Sequence, residues 1–159
     1  MPEQRAEPAE RAPVHGAAAP GEIVVGVDGS PSSRHALQWA VRQAALTGAR
    51  VRAVIAWSIP VSYGPMPIPQ VWVDWPAIAA ETLELAVRDA LPAEQAAEVT
   101  TEVVEGGAAP VLLDAAKDAG LLVVGSRGHG GFAGLLLGST AQHVTTHARC
   151  PVVVVHEPR

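Results

Sequence analysis

The sequence predicts an α/β protein: a three-layer open sheet of five parallel strands, with four helices on its two faces. Three observations predict it. Segments of strand length and pattern recur five times, and two of them, 22–27 (EIVVGV) and 121–125 (LLVVG), are apolar almost throughout. Such runs suit strands buried on both faces, as in a parallel sheet. Stretches with helical periodicity separate the runs, and strict strand–helix alternation winds into a parallel sheet covered on both sides. The length, 159 residues with 48% hydrophobic and 17% charged, suits a globular domain with one core.

The elements follow in order. Residues 1–20 are rich in Ala, Pro, Glu and Arg without periodicity and read as a disordered tail, so the domain is expected over 21–159. The first strand spans 22–27. Ser30 can cap the helix that follows, with Pro31 in its first turn. Ala36, Leu37, Ala40, Val41 and Ala44 form its apolar stripe, and Gly48 stands where a helix stop belongs.

The second strand is expected over 51–57. Residues 58–75 carry prolines at 60, 65, 67 and 69, and a structureless connection of this length serves as a lid or is mobile. Trp72 and Trp75 flank it and are expected to pack against the domain. Asp74 can cap a second helix with Pro76 in its first turn, Ile78, Thr82, Leu85 and Ala86 facing inward, and Pro92 beyond its end. Residues 99–104 alternate with one polar face, which predicts an edge strand. Pro110 opens a third helix that Gly120 closes, and 121–125 is the fourth strand. A glycine-rich loop covers 126–137, a fourth helix 139–148 and a fifth strand 151–156.

Composition excludes several classes of function. The net charge is −5 and no Lys/Arg cluster occurs, so neither nucleic acid nor an anionic membrane is an expected partner. No apolar run approaches the ~20 residues of a membrane helix. The N-terminus lacks an apolar signal region. The lone cysteine, Cys150, is expected to be a small buried residue and fits a reducing cytoplasm.

The chemical signal lies in the glycine loop. Gly125-Ser-Arg-Gly128 follows a strand, and nine residues later Gly138-Ser139-Thr140 opens a helix. A helix start offers unpaired N–H groups and a positive dipole end, which favour an anion. Glycine lets backbone approach a phosphate closely. Ser139 and Thr140 add hydroxyls and Arg127 a charge. The competing reading needs no ligand, because Ser139 with Gln142 fits a capping box. A phosphate-binding P-loop would need a lysine that the loop lacks. Gly128-x-Gly130-x-x-Ala133 matches a dinucleotide fingerprint, but it follows the fourth strand and no carboxylate lies about 20 residues on.

The whole pattern resembles the universal stress protein family. Gly125, Gly128, Gly138 and Ser139 satisfy that family's Gly-x2-Gly-x9-Gly-Ser/Thr motif. The segments 24–33 (VVGVDGSPSS), 122–130 (LVVGSRGHG), 137–140 (LGST) and 150–155 (CPVVVV) resemble its opening turn, fourth strand and close. The resemblance covers about 21–156 and implies a Rossmann-like sheet of order 3-2-1-4-5. It also implies ATP, with Mg²⁺, in the crevice where that order reverses. By that resemblance Val27, Asp28 and Ala56 line the adenine and ribose end, and Gly125, Arg127, Gly128, Gly138, Ser139 and Thr140 hold the phosphates. It further implies a stress-response regulatory role and a homodimer through Val152 to Val155, which would be an apolar edge strand. A slow ATPase or nucleotide transferase, or a nucleotide-free interaction module, remain alternatives. Substituting Gly125 or Ser139 by Ala is expected to weaken binding with folding intact.

Other residues stay open or are set aside. Asp28 can orient ribose or a metal ion, or cap the first helix in competition with Ser30. His129 can contact phosphate or be solvated. His143 and His147 have i, i+4 spacing but no third ligand and read as a solvated pair. No catalytic residue is assigned.

Overall fold

In a computed structural model the described residues are 21–60, 72–129 and 136–158. The readings of 1–20 as a tail, of 61–71 as part of the Pro-rich loop and of 130–135 as part of the glycine loop lie outside them. The elements are β1 (Glu22–Gly26), α1 (Pro31–Thr47), β2 (Arg50–Trp57), α2 (Trp75–Ala90), α3 (Ala93–Glu98), β3 (Thr100–Glu105), α4 (Ala108–Ala115), β4 (Leu121–Gly125), α5 (Ser139–His147) and β5 (Val152–Val155). The sheet has the order β3-β2-β1-β4-β5 with every pairing parallel. The expected sheet and order are therefore observed, with β3 and β5 at its edges.

Strand periodicity divides the core into two layers. Ile23, Val25, Val27, Ala53, Ile55 and Val123 face α1 and α2, meeting Leu37, Ala40, Leu83 and Ala86. Val24, Val54, Leu122 and Val124 face α4 and α5, meeting Val111, Leu112, Ala141 and Val144. Successive strand residues point to opposite faces, so a run apolar at every position serves both layers. α1 starts as its sequence dictates: the Ser30 hydroxyl accepts from the Ser33 amide at 3.2 Å, and Gly48 ends the helix at φ 73°.

Four expectations need correction. A fifth helix, α3, follows Pro92, where the Ala/Glu run 93–98 supplies one and a half turns with no buried residue. The inner face of α2 is Ala79, Leu83, Ala86 and Val87, whereas Ile78 and Leu85 are exposed and only Ala86 of the expected stripe is buried. Apolar residues sit side by side at 78–79 and 85–86, and Thr82 beside Leu83, so two helix faces about 100° apart fit the spacing, and packing against β2 and α1 selects one. α4 begins at Ala108 and ends at Ala115. Pro110 sits inside its first turn, where its missing N–H costs nothing, and Gly120 instead donates its amide to Glu22 O at the foot of β4. Trp72 is fully exposed, while Trp75 is half-buried.

Candidate functional site

The strand order reverses between β1 and β4, and their carboxyl ends open one crevice. On one side β1 runs into Val27, Asp28 and a left-handed Gly29 at φ 83°, where a Cβ would also approach Thr82 Cγ2 at 2.8 Å. On the other, β4 runs into Ser126, Arg127 and Gly128. The two walls are tied by Asp28, whose Oδ1 accepts from the Ser30 amide at 2.9 Å and whose Oδ2 accepts from the His129 amide at 3.2 Å. Burial alone would raise the Asp28 pKa. Hydrogen bonds from Ser30, Ser33 and His129 to its charged form outweigh that and hold it below its ordinary value. Asp28 is thus a turn carboxylate that also spans the crevice, while Ser30 performs the helix capping.

The third wall is the start of α5. The Gly138 amide donates to Ser126 O at 2.7 Å, which seats the helix start against the loop after β4. The N-cap is Gly138, not Ser139, and no side chain caps it. The capping-box alternative for Ser139 and Gln142 is therefore not realised. Ser139 is exposed in the first turn, and among the described residues no side chain caps the first amides of α5, at the edge of the crevice.

A cavity of about 500 Å³ occupies the crevice. All nine residues singled out in the sequence line it: Val27, Asp28, Ala56, Gly125, Arg127, Gly128, Gly138, Ser139 and Thr140. His129 lines it too. The sequence did not reveal the apolar wall of Val54, Ala108, Leu112 and Ala141. Val54 was reachable, two positions before Ala56 on the same face of β2. Ala108 and Leu112 reach the cavity only because α4 packs over β1 and β2.

Strand parity gives the apolar end a polar edge. Val27 N–H donates to Val54 O at 2.9 Å, so the peptide groups of residue 54, and with them those of residue 56, point from β2 toward β1. β1 ends at Gly26, and the next rung, Ala56 N–H to Val27 C=O, is not formed. One donor and adjacent acceptors are left at the cavity.

The glycines divide by role. A Cβ on Gly125 would lie 2.5 Å from Ser32 Oγ and 2.8 Å from the Ser32 carbonyl carbon, so Gly125 serves the close packing of β4 on α1. A Cβ on Gly128 would meet Asp28 Oδ2 at 2.7 Å. At Gly138 the nearest atoms are 3.5 Å away, ordinary contact.

Among the described residues no group of three His, Cys, Asp or Glu is placed to hold a metal. Asp28 is the carboxylate among the described lining residues. His143 and His147 stack with ring centroids 4.4 Å apart, both exposed, and His147 Nδ1 lies 3.0 Å from His143 O. Cys150 is half-buried rather than buried, and that burial pushes its thiol pKa up. No helix among the described residues is long and apolar enough to cross a membrane.

The chain is 36% identical over 143 residues to universal stress protein Rv2623 of Mycobacterium tuberculosis, covering 85% of this chain and 47% of that protein, so it spans about half the length of that relative. Its fold matches a universal stress protein crystallised with cAMP at TM-score 0.61 and 28% identity, covering 87% of this chain and 98% of that one. It also matches the Archaeoglobus fulgidus universal stress protein in complex with dAMP at TM-score 0.58 and 27% identity, covering 88% and 99%. Residues 21–156 match the model of the universal stress protein family, and the chain belongs to that family.

Proposed function

We propose that the crevice binds ATP with Mg²⁺ and that nucleotide occupancy is the signal this stress-response protein transmits. One observation carries the reading: the strand-order reversal, the Gly128 and Gly138 backbone and the uncapped start of α5 all face one cavity. Its volume is that of an ordinary small-molecule site. The unpaired edge at Ala56 and the walls of Val27, Val54 and Leu112 suit a flat base with one donor and one acceptor. The α5 amides, the Ser139 and Thr140 hydroxyls and Arg127 suit the phosphates. Solved relatives in complex with cAMP and dAMP support an adenine nucleotide as the ligand class. Mg²⁺ keeps most of its water and rides on phosphates, needing one or two carboxylates, and Asp28 fits that demand. The ion would neutralise phosphate charge where the loop offers no lysine.

The reading includes a homodimer. β5 is an edge strand of four half-buried valines, and an uncharged edge of this kind pairs with a second copy. It also includes a cytoplasmic site of action, where Cys150 stays reduced.

Mass spectrometry of the denatured purified protein, followed by calorimetric titration with ATP, AMP and cyclic AMP, tests the proposal. Co-purified or titrated ATP that stays unhydrolysed supports it. Conversion to ADP with time replaces it by a slow ATPase, and failure to bind any of the three removes it. Light scattering at two concentrations gives the expected dimer mass or rejects the edge pairing.

A further inference from the structure

The His129 amide, in the turn after β4, is already in use. Asp28 Oδ2 accepts from the His129 amide at 3.2 Å, while its Oδ1 is held by the Ser30 amide at 2.9 Å. This carboxylate lies in the cavity itself, and it lies close enough to Gly128 that a Cβ there would meet Oδ2 at 2.7 Å. A backbone amide in a glycine loop has the chemistry a phosphate oxygen seeks. Here a negatively charged oxygen of the protein has it.

We propose that the Asp28 carboxylate is an internal anion that occupies the His129 amide in the place of a ligand phosphate, an autoinhibitory contact that sets a threshold for anion entry. The inference rests on the crevice being a nucleotide site, as proposed above. A phosphate that takes the His129 amide must displace Oδ2 and lie beside the charge it displaced. Both effects weaken binding of the phosphate end, whatever Asp28 does at the sugar. The Ser30 contact is the shorter of the two and belongs to the turn that starts α1, so the His129 contact is the one that yields.

Inorganic tripolyphosphate, which has neither base nor ribose, isolates this effect. Calorimetric titration in EDTA would compare the wild type with Asp28→Asn and Asp28→Ala. Asparagine keeps an oxygen for Ser30 but turns an NH₂ toward His129, which frees that amide and removes the charge. Both variants are expected to bind tripolyphosphate about tenfold more tightly, the scale of one hydrogen bond to a charged group. Equal or weaker binding by the variants overturns the proposal. An independent readout needs no variant: the ¹⁵N–¹H resonance of His129 in the wild type must move on saturation with tripolyphosphate, and an unmoved resonance also overturns it. ATP titrated in parallel separates the two claims. If the wild type binds ATP while the variants gain nothing for tripolyphosphate, only the autoinhibition fails. If no protein binds either ligand, the nucleotide reading fails with it.

Discussion

Gly125→Ala tests whether the first glycine of the loop serves a ligand or the fold. A Cβ built there comes within 2.5 Å of Ser32 Oγ, 2.8 Å of the Ser32 carbonyl carbon and 2.9 Å of Ser32 Cβ. Rotating the hydroxyl relieves the first contact alone. The other two involve the backbone of α1 and the atom next to it, and Ser32 is fully buried. Relief therefore requires α1 and β4 to part, although Leu37, Ala40 and Val123 are locked in the same layer of the core. Overpacking of this kind costs about 1–3 kcal/mol. For a chain of this size that lowers the melting temperature by roughly 2–12 °C, at 2–4 °C per kcal/mol. Gly138→Ala is the control. Its Cβ would sit 3.5 Å from its nearest neighbours at φ −68°, so melting should change by no more than about 1–2 °C. Thermal denaturation followed by circular dichroism, without nucleotide, distinguishes the two. Equal melting of Gly125→Ala and wild type would refute the packing argument and return Gly125 to the ligand. Adding Ser32→Ala should recover only part of the loss, because it removes the hydroxyl and leaves the backbone contact.

Three further outcomes are expected. Ser139→Ala removes an exposed hydroxyl that caps nothing, so stability should hold within about 0.5 kcal/mol, while ATP affinity in a calorimetric titration should fall about two- to tenfold, the value of one neutral hydrogen bond. Arg52 joins Glu22 on β1, Glu102 on β3 and the Ala115 carbonyl near the end of α4, and its partners outweigh burial to raise its pKa. Arg52→Met should cost about 1–3 kcal/mol in urea denaturation by leaving those acceptors without their cation, and no loss would show that water replaces it freely. Asp28 has a folded-state pKa below its unfolded value, so its ionised form stabilises the fold above the ordinary carboxylate range, and that contribution drains as pH falls through the depressed value. The acid limb of a melting-temperature profile should be shallower in Asp28→Asn, and superimposable limbs would remove Asp28 as a source of acid sensitivity.

Much of this protein was legible in the chain itself because local chemistry decides it. Apolar runs such as 22–26 and 121–125, too short for a helix and set between helical stretches, read as strands buried on both faces, and they are. Ser30-Pro31 and Gly48 fix the ends of α1 through backbone groups within a few residues. The glycine spacing marked both loops of the cavity, since close backbone approach leaves a trace in residue type. Other features depend on contacts between segments far apart in sequence, and no local pattern encodes them. Ile78 and Ala79 compete for the inside of α2 with equal periodicity, and only the surface offered by β2 and α1 excludes Ile78. Gly125 reads as a phosphate glycine until Ser32, 93 residues earlier in the chain, is seen against it. Asp28 and His129 share a hydrogen bond across 101 residues because β1 and β4 became neighbours in the sheet. Helix caps and strand patterns are settled by forces that act within a turn or two of chain, whereas the wall of a cavity is settled by which surfaces the completed core brings together.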